Sequence, residues 1–524
     1  MRFFNTAGPV NCEDHYCLPP LERFDIKSIL NLIEQKKYFV LHAPRHTGKT
    51  TYLKALADYL NKQKKFKALY FKVEKAHTAR NDIDRGMRAI LGEMVSRARR
   101  VLNDTFLNDI WLNILEKWGG DSALNEALTR WSEFSRKPLV LLIDEMDSLS
   151  GDTLISLLRQ LRSGYDTRPN QFPQSIILCG VGDVRSYRIQ SGREHKIITG
   201  GNAFNIKAES FRVKDFTQRE LARLWYCHTE ETGQYFADGT LETAWELSKG
   251  QPWLVNALGY EVCFNMEKNM DRSVSITPDL VRKAGENLIQ RRDTHIEQLA
   301  EKLADPRVQR VIEPLLAGHD EPANIALEDL NYAADLGFIK KDCGIRIANQ
   351  LYREIIPREL TYSTQLTINQ DSKEFITRDG LLNVKKILSV FQNYYCRYSR
   401  DWIKNFQYKD AAPFLLAQAF MTRIINSGGR IQREYGLGMR KTDLLIVWLN
   451  NGKIQEVVIE LKELKGPLET IVKQGLNETW AYMKKTGASE GHLLIFDRSQ
   501  KPCKEKIFCH QRRFKQGMIM VWGM

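Results

Sequence analysis

The chain has 524 residues, too many for one ordinary domain at roughly 100–200 residues each. With 43% hydrophobic and 27% charged residues it is neither disordered nor collagen-like. No apolar run approaches the roughly 20 residues of a membrane helix, and the N-terminal MRFFNTAGPVNCEDHYC has no apolar signal core. Charge is uneven: the chain carries a net +13, and residues 381–524 hold 24 basic against 12 acidic side chains. A basic C-terminal part on a near-neutral body suggests a polyanion partner there; a solubilising surface is the plainer alternative. Nine cysteines without a repeating framework suggest reduced thiols and a cytoplasmic protein.

Residues 1–203 alternate short apolar runs with long amphipathic helical patterns. The runs at 38–41, 68–73, 139–143 and 175–179 are strand-like, which predicts a parallel sheet covered by helices on both faces. Between the first run and the helical pattern TTYLKALADYL lies APRHTGKT, residues 43–50. A loop of this kind between strand and helix is a phosphate cradle, because backbone N–H groups and the helix N-terminus converge on the anion. Ala43, Pro44, Arg45, His46, Thr47, Gly48, Lys49, Thr50 and Thr51 are therefore candidate nucleotide-binding residues. Lys49 would reach the β- and γ-phosphates and Thr50 would offer its hydroxyl to Mg2+. The loop departs from GxxxxGK[ST] at its first position, where Ala43 replaces glycine and Pro44 follows, which predicts reduced backbone freedom.

The run PLVLLIDE, residues 138–145, ends in two acids. Asp144 at the strand's C-terminal end is placed to hold magnesium through its water shell, and Glu145 to orient and activate an attacking water. Alone, such a run could be a plain strand meeting solvent; with the loop before it, it predicts ATP binding. Residues 211–268 read as helical, broken at Gly250-Gln251-Pro252. Residues 276–360 contain several helices and then LGFIKKDCGIRIANQLYREII, a strand–turn–strand–helix pattern like that of a winged helix. The polar stretch 363–374 is the linker candidate, and 380–524 form the last domain.

On APRHTGKT, LLIDEMD, SIILCGVGDV and the GQP at 250–252, the first 360 or so residues resemble AAA+/STAND-type ATPases of bacteria and archaea, relatives of the Orc/Cdc6 arrangement. The resemblance implies an ATPase core at 1–203, a helical lid at 204–270 and a winged-helix domain at 271–362. It also implies that Pro252 packs near the nucleotide. A polar sensor normally ends the fourth strand; here Gly182 and Asp183 stand there, with Arg185 and Arg188 behind them as candidate phosphate contacts. Each arginine alone could equally be solvated. Relatives form rings, so a homo-oligomer through this module is an expectation, although no arginine finger is identified.

In the basic domain, 443–449 and 454–462 are strand-like around Asn451-Gly452, the strongest short hairpin signal. A two-residue loop pairs Asn450 with Lys453 and places Asp443 directly opposite Glu460, with Cβ atoms roughly 4.5–5.5 Å apart. Lys462 projects from the same face as Glu460. Facing carboxylates repel unless neutralised, and a divalent cation with hard oxygen ligands, Mg2+ or Mn2+, would do so. Two acids and a lysine around such a metal are the groups of phosphodiester hydrolysis. A surface hairpin of alternating charge is the alternative, since register can slip by one residue.

The spacing from Asp443 to Glu460 and Lys462 resembles the PD-(D/E)xK nucleases. GGRIQREYGLGMRKTDLLIVW, VVIELKELKG and EGHLLIFDR extend the likeness to the nuclease domains fused to bacterial AAA-like ATPases. The resemblance implies a metal-side acid on an earlier helix, matched by Asp410, and a QxxxY pair on the helix after the lysine strand. Tyr482 is present, but Glu478 stands in the glutamine position, with Gln474 one turn earlier. Arg433, Arg440 and Lys441 are candidate phosphate contacts.

These features predict an α/β multidomain chain with a linker at 363–379 and a nuclease-like domain at 380–524. They predict an ATP-regulated, metal-dependent nuclease, with DNA favoured as partner by resemblance and no membrane partner. The alternatives are a DNA-binding switch or scaffold with a silent nuclease fold, and a signalling ATPase whose winged helix binds a protein. Cys12, His15 and Cys17 lack a second half-site for zinc, as do Cys503, Cys509 and His510.

Overall fold

The computed structural model describes the chain apart from residues 24, 185–186, 292–293, 318–324, 343, 369–371, 426–428, 435–442 and 451–452, and apart from the side chains of 294, 367, 372–373, 400–401, 405, 429–434, 443, 449–450 and 453. It divides into two compact units, residues 1–290 with 334–337, and residues 291–333 with 338–524.

In the first unit the apolar runs become β1 (Tyr38–His42), β2 (Lys67–Lys72), β3 (Leu139–Asp144) and β4 (Ser175–Gly180). β5 (Arg188–Gln190) and β6 (Ile197–Thr199) form a small separate hairpin, and β7 (Lys207–Arg212) closes the main sheet. That sheet is parallel throughout, in the order β2-β3-β4-β1-β7. Strands buried on both faces read as continuous apolar runs, and alternation sends Tyr38, Val40, Leu141 and Ile143 to one face and Phe39, Leu41, Val140 and Leu142 to the other. Helices Ile83–Leu102, Phe106–Trp118, Ala123–Phe134 and Gly151–Ser163 cover the first face; Ile26–Glu34 and Lys49–Lys62 cover the second. Each fully buried aliphatic or aromatic side chain contributes roughly 1.5–3 kcal/mol.

The domain boundary at residue 203 is corrected by β7, which pairs with β1 out to His42↔Arg212 and belongs to the core sheet rather than the lid. Its sequence, KAESFR, is that of a polar edge strand and has no apolar run. The lid follows as helices Gln218–Thr232, Thr240–Ser248 and Pro252–Tyr260. The first starts at a capping box of Thr217 and Glu220, and the last has Gln251 as its cap and Pro252 in its first turn. The N-terminal arm packs on these helices. Phe4 is fully buried among Tyr16, Trp225, His228 and Phe264, in space left by Gly259, where a Cβ would lie 2.9 Å from the Phe4 ring. The sulfurs of Cys12 and Cys17 and, in the second unit, those of Cys396 and Cys503 lie next to each other.

The second unit opens with helices, among them Thr294–Leu303 and Pro306–Leu316. Next come β8 (Ile339–Lys340) and β9 (Arg346–Ile347), which pair antiparallel. Its sheet comprises β10 (Gly429–Glu434), β11 (Asp443–Asn450), β12 (Lys453–Glu463), β13 (Glu490–Phe496), β14 (Phe508–Phe514) and β15 (Gly517–Gly523), in the order β10-β11-β12-β13-β15-β14. β10, β11 and β12 pair antiparallel, and β12, β13 and β15 parallel. Ile459 and Leu461 pack with helices Val384–Asn405 and Ala412–Ile425; Leu445, Val447 and Val458 pack with helix Leu468–Thr486.

The described residues of 363–379 are corrected from linker to folded segment. They include most of helix Tyr362–Thr367 and the turn Ser372–Phe375, and Ile368 and Phe375 are buried in the core beneath Val384–Asn405. The segment 271–362 is likewise divided, its first part, with helix Pro278–Arg291, falling mainly in the first unit and most of the rest in the second.

Candidate functional site

The phosphate loop sits between β1 and helix Lys49–Lys62. The helix starts at Gly48, whose φ of 89° is left-handed and which has no side chain to cap the first turn. Those first N–H groups are the ones a bound anion satisfies. His46 is also left-handed, at φ 61°, whereas Ala43 is not, so replacing the usual glycine at Ala43 imposes no positive-φ strain. Lys49 Nζ donates to Ala43 O at 2.8 Å and Pro44 O at 2.9 Å, holding the ammonium inside the loop. Thr47 Oγ1 donates to Pro44 O at 2.8 Å, and Thr51 Oγ1 accepts from Val10 N of the N-terminal arm at 3.1 Å. The loop fits a polyphosphate: uncapped helix N–H groups, one inward lysine and a left-handed glycine converge on it.

The acidic side of the site is joined to the loop directly. Thr50 Oγ1 donates to Asp144 Oδ2 at 2.7 Å; Tyr70 Oη donates to the same oxygen at 3.0 Å, and Glu145 N donates to Oδ1 at 2.9 Å. A hydroxyl and a buried carboxylate held together at the end of β3 are the pair that would hold Mg2+. Glu145 follows at φ 64°, a left-handed position that starts the turn Met146–Ser148. Burial, with the Asp144 and Asp147 carboxylates, pushes its acid up from the ordinary glutamate value, against Lys72 and Lys49. Lys72 Nζ is 3.7 Å from Glu145 Oε1. Asp147 accepts from Val181 N at 3.1 Å and lies 3.7 Å from Arg45.

Pro252 is buried in the first turn of its helix, and its neighbour Gly250 takes φ 80° against the Phe216 backbone, where a Cβ would meet Phe216 O at 2.0 Å. Arg23 also reaches the loop, donating to Thr47 O at 2.8 Å and to Lys214 O at 2.6 Å. At the end of β4, Asp183 pairs with Lys207 of β7; Arg188 is exposed, and Arg185 lies outside the described residues. The sequence reading missed Tyr70, Asp147 and Arg23. Asp147 had a signal in LLIDEMD; Tyr70 and Arg23 lie in unremarkable segments and reach the site through tertiary contacts alone.

In the second unit β11 and β12 take the predicted register, from Leu444↔Ile459 to Asn450↔Lys453. Asn451 and Gly452 lie outside the described residues, as do Arg440, Lys441 and the side chains of Arg433 and Asp443. Asp443 begins β11. Glu460 is fully buried, and Lys462 Nζ lies 2.9 Å from its Oε1 and also donates to Glu478. Gln474 Nε2 donates to Glu478 Oε1 at 3.1 Å, and Tyr482 is buried on the same helix. Burial opposes the Lys462 charge, but Glu460 and Glu478 raise its pKa overall. The Glu460 and Glu478 carboxylates both meet the Lys462 ammonium, and carboxylate oxygens are the hard donors that a divalent cation takes.

Asp410 is not brought to this cluster. It pairs with Arg498 at 3.2 Å, which also holds Glu463 at 3.1 Å, and its N–H donates to Glu313 at 2.8 Å. It precedes helix Ala412–Ile425, on the sheet face opposite Glu460 and Lys462, because side chains alternate along β12. Among the described residues no three His, Cys, Asp or Glu side chains are grouped to hold a metal.

Residues 33–187 match the family model described as AAA domain, and this segment, carrying the loop and the Thr50–Asp144 pair, is an AAA-type P-loop ATPase domain. Such domains bind nucleotide, usually with Mg2+. No curated protein matches the chain. Among solved structures, the chain is similar to a Walker-type ATPase of Pyrococcus abyssi at 16% identity, covering 67% of this chain and 99% of that one, TM-score 0.45. It is also similar to Cdc6p of Pyrobaculum aerophilum at 15% identity over 66% and 93%, TM-score 0.35. A third is the RuvB Holliday junction branch migration motor of Thermotoga maritima, at 16% over 64% and 94%, TM-score 0.33. No described helix is long and apolar enough to cross a membrane.

Proposed function

We propose that the chain binds and hydrolyses ATP in its first unit and uses nucleotide state to control divalent-metal-dependent hydrolysis of nucleic-acid phosphodiesters in its second. The observation that carries the first half is the joining of Thr50 to Asp144 beside an inward Lys49. Lys49 and the uncapped helix N–H groups bind the phosphates, and Thr50 and Asp144 would hold Mg2+, which would supply neutralisation of phosphate charge. Glu145, next to Asp144 at the end of β3, orients the attacking water and accepts a proton from it at its carboxylate.

The second half is supported by Glu460, Lys462 and Glu478 clustered beside the start of β11. Asp443 and Glu460 would hold Mg2+ or Mn2+, which would polarise the phosphoryl oxygen and acidify its water, and Lys462 would stabilise charge on the phosphate. The placement of Asp410 on Arg498 argues against counting it as a third ligand. DNA is favoured over RNA, the helices around β8 and β9 serve as a winged helix, and the molecule works in the cytoplasm as a homo-oligomer through its ATPase module. One observation favours the silent-nuclease scaffold instead: Lys462 is engaged by two carboxylates, because Glu478 stands where related enzymes carry a neutral amide.

Glu145→Gln tests the hydrolytic reading. The variant is expected to lose about 100-fold or more in ATP turnover, the usual range for a general base, with ATP affinity changed by less than about threefold. Turnover unchanged in a steady-state phosphate-release assay would remove Glu145 from that role.

A further inference from the structure

The loop peptide between Thr47 and Gly48 is held from outside by a residue that no nucleotide motif contains. Arg23 ends the short turn Pro20–Arg23. Its Nη1 donates to Thr47 O at 2.8 Å and its Nη2 to Lys214 O at 2.6 Å, and its guanidinium lies 4.6 Å from the centre of the Phe216 ring. Phe216 N in turn donates to Gly250 O at 2.8 Å, at the break that opens the Pro252 helix. Gly48 accommodates the contact, since a Cβ there would come within 3.1 Å of Arg23 Nη1.

Peptide geometry turns that contact into a statement about the phosphate. A trans peptide is planar, with its C=O and N–H pointing in opposite directions. Fixing Thr47 O toward Arg23 therefore aims the Gly48 N–H the other way, toward the cradle formed by the loop and Lys49. A planar guanidinium donates in a fork to two carbonyls at once, which an ammonium on a flexible stem cannot reproduce. We infer that Arg23 is a positioning residue for the phosphate loop: it orients the Thr47–Gly48 peptide toward the β-phosphate and ties that orientation to the lid segment at Phe216 and Gly250. This rests on the reading of the loop as a nucleotide site and goes beyond it, because Arg23 lies outside the loop and is bonded to its backbone.

The test is an affinity ladder by isothermal titration of the full-length chain with ATP, ADP and AMP, for the wild type, Arg23→Ala and Arg23→Lys. The orientation of one N–H toward the β-phosphate affects ligands that have that phosphate. Both variants are expected to bind ATP and ADP about tenfold more weakly, to bind AMP within about twofold of the wild type, and to melt within a few degrees of it. Millimolar guanidinium added to Arg23→Ala is expected to restore part of the lost ATP affinity. ATP affinity within twofold of the wild type in both variants, or an equal loss for AMP, would overturn the inference. A wild-type chain that bound no ATP would overturn the nucleotide reading and this inference together, which separates the two failures.

Discussion

Lys49→Ala is expected to weaken ATP binding by about 100-fold or more and to abolish turnover. The ammonium sits inside the loop on the Ala43 and Pro44 carbonyls, where it would bridge the β- and γ-phosphates. A hydrogen bond to a charged group is worth roughly 1.5–3 kcal/mol, and two of them account for a loss of that size. Fold should be little affected, since Lys49 opens its helix and alanine is the best helix former. Calorimetric titration and a melting curve read both quantities. Affinity within threefold of the wild type would mean that phosphate is held elsewhere.

Lys462→Ala carries the other large effect, and it has two readouts. Removing a group that stabilises charge in the transition state lowers cleavage by about 100–1000-fold. The same substitution leaves the buried Glu460 and the half-buried Glu478 without the ammonium they share, and breaking a buried pair in this way destabilises by roughly 3–5 kcal/mol. The variant should therefore melt several degrees lower in chelator than the wild type, and Mn2+ should restore more stability to it than to the wild type. Melting that is equally low with and without Mn2+ would argue that no divalent cation binds beside Glu460.

The parts of this chain that could be read from its residues are those where chemistry is local. The phosphate loop and the acids of β3 were legible because a strand, a turn and a helix N-terminus meet within a few residues. The β11–β12 register was legible because a two-residue loop leaves one pairing, and the pairs from Asn450 to Leu444 follow it. β7 was not legible, because a polar edge strand has no apolar run to mark it. Nor was the folded character of the described residues of 363–379, where Ile368 and Phe375 anchor a polar stretch in the core. The nuclease resemblance implies Asp410 as an acid on an early helix near the metal, but alternation along β12 puts helix Ala412–Ile425 on the other face from Glu460. Arg23 and Tyr70 act across the fold, from segments with no motif, and only tertiary contacts bring them to Thr47 and Asp144.

ATP is expected to govern metal-dependent cleavage of nucleic acid. The most direct measurement incubates the purified chain with linear, circular and single-stranded DNA in Mg2+ or Mn2+, with and without ATP. Cleavage that requires the metal, changes with ATP in the wild type, and loses that response in Lys49→Ala is the predicted result. ATP turnover without cleavage of any substrate, in either metal, would exclude the nuclease and leave the ATPase as a switch or scaffold.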